Sequence, residues 1–83
     1  MIPENTIHSI TIARWMGWKN PDNWNASMIN GVKLRACEKR LSKRGLEDHY
    51  KTRLIYISTN RHEATDRFHQ LEALAYIIER HWK

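Results

Sequence analysis

The sequence predicts a small α+β domain. Three observations carry that expectation: apolar residues recur at helical spacing in three places, one run has the β-branched and aromatic composition of a strand, and Gly17 and Gly45 stand where helices would close. The expected order is an N-terminal helix, a central basic helix, a short β element and a long C-terminal amphipathic helix, in a single domain over residues 1–83.

The N-terminal helix is expected from about Asn5 to Met16. Asn5 or Thr6 caps it, Ile7, Ile10, Ile12, Ala13 and Met16 recur along it, and Gly17 closes it. The β-branched density of Ile7, Ile10, Thr11 and Ile12 also suits a strand, so the glycine stop decides. Residues Trp18 to Asn25 hold Asn20-Pro21 and several Asx residues, which is turn chemistry or the start of a short helix at Pro21. Asn30-Gly31 is a second break, and Met28-Ile29 with Val32 and Leu34 offers an alternative small hairpin.

The central helix is expected from Val32 to Arg44, ended by Gly45. At about 100° per residue Leu34, Cys37 and Leu41 share one narrow stripe, and cations cover the rest of the circumference. Thr52 to Ser58, centred on Arg53-Leu54-Ile55-Tyr56-Ile57, reads as a buried strand that pairs with the Met28 to Leu34 region or with a second copy of the chain. The C-terminal helix is expected from Arg61 to His81, with a capping-box-like start at Asn60 and Glu63 and a stripe of Ala64, Phe68, Leu71, Ala75, Ile78 and Trp82. Leu74, Tyr76 and Ile77 lie off that stripe, so this helix needs cover on two sides. They are the expected interface if the second cover is another subunit, and a homodimer is one possible state of so short a chain.

Charge is the most localised property of the chain. Lys33, Arg35, Lys39, Arg40, Lys43 and Arg44 face only Glu38 between residues 33 and 44, and this excess of five equals the formal net charge of the whole protein. Interleaved acids, common on an ordinary solvated helix, are missing. Such a patch calls for a negatively charged partner: an acidic protein or nucleoprotein surface, or DNA or RNA. Trp18 and Trp24, beside Lys19, are expected at the surface as binding anchors, and Trp15 and Trp82 in the core.

Enzyme chemistry finds little support. Cys37 alone builds neither a disulfide nor a multi-cysteine zinc site, and its stripe makes it a core residue first. His62, Asp66 and His69 have ligand spacing on a helix, yet the expected face is an ordinary polar one, so no metal and no cofactor are assigned. No nucleophile-elbow, P-loop, zinc-protease or dinucleotide fingerprint occurs, and no catalytic residue is named. Neither a leader-like start nor a membrane-length apolar run is found, which sets the expectation of a cytoplasmic protein with no membrane partner.

Ile12-Ala13-Arg14-Trp15-Met16-Gly17-Trp18-Lys19 resembles the opening of the phage ABA-sandwich domain, and Tyr56-Ile57-Ser58-Thr59-Asn60 resembles that family's strand-to-helix step. Ile57 interrupts the second pattern, Asn60 replaces its Asp, and Val32 to Lys51 has no counterpart. The resemblance implies a viral or prophage origin, hence the cytoplasm of a host cell, and an α+β sandwich without a defined activity. The segment from Ile12 to Pro21 is also similar to one in the BRO-type antirepressor amino-terminal domain, which implies a helix-turn-helix whose second helix runs from Pro21 to Asn30. The leading expectation is a non-enzymatic phage-type binding protein, a host-takeover or counter-defence inhibitor of the anti-CRISPR kind. The alternatives are a helix-turn-helix regulator and an oligomerising assembly protein.

Overall fold

Gly17 and Gly45 close their helices as the sequence predicts. Both have positive φ, 76° and 73°. After each, the chain returns two amides to the helix end: Gly17 N to Arg14 O and Trp18 N to Ala13 O, then Gly45 N to Ser42 O and Leu46 N to Leu41 O. This is the Schellman arrangement, and Leu46 is partly buried against the core cluster that includes Leu41. A side chain at either position is forced into the left-handed region, so Gly45→Ala is expected to cost about 1 kcal/mol in a chemical-denaturation experiment.

The computed structural model describes residues 4–60 and 65–82. Its elements are α1 (Glu4–Met16), two 3-10 turns (Pro21–Asn23 and Ala26–Met28), α2 (Gly31–Lys43), α3 (Glu47–Asn60) and α4 (Asp66–His81). Among the described residues there is no strand, so the domain is all-helical and the α+β expectation is corrected.

The expected strand, Thr52 to Ser58, lies wholly inside α3. The reason is visible in which residues go inside. Tyr50 and Ile57, seven apart and therefore two helical turns apart, are buried, while the adjacent Ile55 and Tyr56 are both exposed. A lone strand would leave its backbone donors and acceptors unpaired, whereas a helix satisfies them internally. Local chemistry agrees: Glu47 and Asp48 sit in the positive first turn, and Thr59 and Asn60 bond the carbonyls of Ile55 and Tyr56 at the other end. The alternative hairpin around Asn30-Gly31 is likewise replaced. The Asn30 side chain accepts from Lys33 N at 2.9 Å and so starts α2.

Helix α4 is the centre of the domain. It packs on α1 and on α3, which explains why Leu71, Ala73, Leu74, Ala75, Ile77 and Ile78 are buried nearly all round it. The two-sided cover that its sequence demands comes from within the chain: of the expected interface residues, Leu74 and Ile77 are buried in the core and Tyr76 is half-buried. Thr65 caps α4, accepting from Phe68 N at 3.1 Å. The expected start at Arg61, with Glu63 and Ala64, lies outside the described residues.

Candidate functional site

Trp15, Trp18 and Trp24 are brought to one side of α2 by the segment between α1 and α2. Asn20 takes a left-handed conformation ahead of Pro21, which stands at the first position of its 3-10 turn. Arg14 at the end of α1 pairs with Asp22 at 2.5 Å, and Asn25 caps the second turn by accepting from Ser27 N. The chain thereby folds Trp24 back onto Trp18, their rings stacked with centroids 4.6 Å apart and planes 25° from parallel. Trp24 Nε1 donates to the Lys19 carbonyl at 2.8 Å.

Trp24 is thus a buried keystone of this loop, contrary to its expected place as a surface anchor. Trp18 is half-buried against the core and Trp15 is buried within it. Trp82, expected inside, is 46% exposed because it stands beyond the end of α4, off the helical stripe that would have carried it inward. Pro21 to Asn30 forms two separate three-residue turns, so it supplies no recognition helix.

Burial of Leu34, Cys37 and Leu41 orients α2 and sorts its cations into two sets. Lys33, Arg40 and Arg44 occupy the flank facing the tryptophans. Lys33 Nζ lies 5.9 Å from the Trp18 ring centroid and 5.8 Å from that of Trp24, while Arg40 and Arg44 lie 4.5 and 5.6 Å from Trp15. Arg40 also donates to the Trp15 carbonyl, so one guanidinium stacks on the indole and caps the negative end of α1. Cation–π contact and the helix dipole each contribute about 0.5–1 kcal/mol in such settings. Arg40 is therefore a structural residue as well as a charge.

Arg35, Lys39 and Lys43 form the second set, an exposed row at four-residue spacing. They rise about 6 Å per step along the helix. Among the described residues the ion pairs are Arg14–Asp22 and Glu47–Lys51, and this row takes part in neither. Glu38, the one acid of α2, accepts from the Tyr50 hydroxyl at 2.9 Å and is ion-paired to none of the three. Like charges at this spacing repel by a few tenths of a kcal/mol per pair, a cost that no ion pair among the described residues offsets. Lys19 is exposed as well. The Trp15–Arg40 platform is the part that sequence reasoning missed. No spacing rule links residues 25 positions apart.

Two other candidates are settled by burial. Cys37 is fully enclosed, and its thiol is pushed up from 9.0 to about 12, first by loss of water and then by the Glu38 charge. Burial and Glu38 also push the Tyr50 hydroxyl upward. Both groups are neutral when folded, so their contribution to stability is intact below pH 9 and is lost as the pH rises toward 12. Thermal melts are expected to fall steadily above pH 9, and Cys37→Ala is expected to flatten the first part of that fall. Native Cys37 should also resist a thiol reagent at pH 8 until the protein is unfolded.

His69 is buried, with Nδ1 3.5 Å from Ser58 Oγ, and does not point to water as its sequence position suggests. Asp66 is exposed, and His62 lies outside the described residues. Among the described residues no group of three metal-ligating side chains comes together. No helix among them is long and apolar enough to cross a membrane. No family model, no curated protein and no solved structure matches this chain.

Proposed function

We propose that this chain is a non-enzymatic binding protein that engages the phosphate backbone of nucleic acid, free or within a host nucleoprotein complex, through the outer face of α2. The observation that carries this reading is the uncompensated row of Arg35, Lys39 and Lys43. Lys33, Arg40 and Arg44 hold further charge behind it, and Lys19 stands exposed on the tryptophan-bearing loop. Clustered cations of this kind release counterions from phosphates and accelerate encounter.

The burial of Trp24 favours this partner over an acidic protein. A protein interface draws much of its affinity from aromatic anchors in contact with the partner, and Trp24 is turned inward. A backbone contact needs only a row of charges. Helices α2 and α3 are joined by a short turn through Gly45, but α3 opens on Glu47 and Asp48. Those carboxylates oppose its entry into a groove, which favours sequence-independent binding over base readout. In a host-takeover or counter-defence role, the protein would act by occupying the nucleic acid of its target complex.

Lys39→Glu separates binding from folding. It places an acid between Arg35 and Lys43 at four-residue spacing and is expected to stabilise the fold by about 0.5 kcal/mol, raising Tm by about 2–4 °C. The same change should weaken binding to random-sequence duplex about tenfold or more. A variant that is more stable and binds unchanged would remove the row from the function.

A further inference from the structure

A second concave surface lies between α3 and α4, built from residues that the α2 face does not use. This groove of about 350 Å³ is lined chiefly by His49, Arg53, Tyr56, Tyr76, Arg80 and His81. None of the carboxylates of the two helices lines it. Its size is at the lower end of small-ligand sites.

The cations here are held by aromatic rings instead of acids. Arg53 Cζ lies 3.7 Å from the Tyr76 ring centroid and 5.0 Å from that of Tyr56, and Arg80 Cζ lies 5.4 Å from Tyr76. Cation–π contact holds the guanidinium groups beside the rings yet satisfies none of their N–H donors. Arg53 Nε is buried with no hydrogen-bond partner among the described residues. His49 and His81 close the same groove with rings 5.3 Å apart and 30° from parallel. Two guanidinium forks and no lining acid call for an oxyanion. The exposed face of Tyr56 and the two imidazoles offer π surfaces beside it.

We infer that this groove binds a phosphorylated nucleoside, with the phosphate on Arg53 and Arg80 and the base against the aromatic rings. The phosphate belongs either to a free mononucleotide or to the end of a strand.

Backbone-amide NMR titration distinguishes these sources, using adenosine monophosphate, adenosine, inorganic phosphate, and a short oligonucleotide with or without a 5′-phosphate. Saturable shifts centred on α3 and α4 are expected with the monophosphate, the 5′-phosphorylated strand or both, and at least about tenfold weaker with adenosine and inorganic phosphate. Arg80 is exposed, so Arg80→Gln keeps the helical fold and is expected to weaken this binding about tenfold. Reversing Arg35, Lys39 and Lys43 should leave it intact, which keeps the groove independent of the α2 face. The inference is overturned if no probe saturates at concentrations on the order of 10 mM, if adenosine binds as well as its monophosphate, or if Arg80→Gln binds unchanged.

Discussion

Trp24→Ala is expected to cost the protein about 4–6 kcal/mol of stability. The side chain is buried, stacked on Trp18, and its Nε1 holds the Lys19 carbonyl. Removing a buried tryptophan costs about 3–5 kcal/mol, and the lost hydrogen bond adds about 1 kcal/mol. A chain of this length has a total stability of about 4–12 kcal/mol, so the substitution removes about a third of it or more. Helical circular dichroism against urea measures the effect. Trp24→Phe retains the stack and should lose about half as much. A Trp24→Ala variant that loses less than about 1 kcal/mol would show that the loop is a surface appendage and return Trp24 to the list of binding anchors.

Reversal of Arg35, Lys39 and Lys43 to glutamate is expected to abolish nucleic-acid binding while the fold survives. All three side chains are exposed and none has an ion-pair partner among the described residues, so their loss leaves no buried group unsatisfied. The change takes the formal charge of residues 33–44 from +5 to −1. Each lost phosphate contact also withdraws its counterion release, and affinity at low salt should fall about 100-fold or more. Arg40→Glu is a different experiment. It removes the cap on α1 and the stack on Trp15, and it should destabilise the domain before it reports on binding.

The elements that the sequence made legible are those in which a local signal and the tertiary fold agree. Helix α2 was marked by the Leu34, Cys37 and Leu41 stripe and by Gly45, and α1 by Gly17. The region from Thr52 to Ser58 was not, because Leu54-Ile55-Tyr56-Ile57 has strand composition and its helical period appears only once Tyr50 is counted with Ile57. Composition is a weak guide where packing decides. The two-sided burial of α4 was legible, but its cause was not: the cover is α1 and α3, and a sequence does not say which neighbour supplies it.

The candidate site divides in the same way. Its charge could be counted directly from residues 33 to 44, and the outward direction of Arg35, Lys39 and Lys43 follows from the buried stripe. The stacking of Lys33, Arg40 and Arg44 on tryptophans of α1 and its following loop is a long-range contact without a spacing signature. The groove of Arg53, Tyr56, Tyr76 and Arg80 was hidden by the strand reading, since alternation separates Arg53 from Tyr56 whereas a helix places them on neighbouring turns.

The most direct test of the α2 face is a fluorescence-anisotropy titration of labelled random-sequence duplex and single strand, with wild type and the triple reversal, across salt concentrations. Wild type is expected to bind with a slope of log K against log salt of about −2.7 to −3.6 on duplex, the value for three or four neutralised phosphates, and the reversal is expected not to bind. Absence of wild-type binding at low salt, or binding that ignores both salt and the reversal, would contradict the account and turn attention to an acidic protein partner.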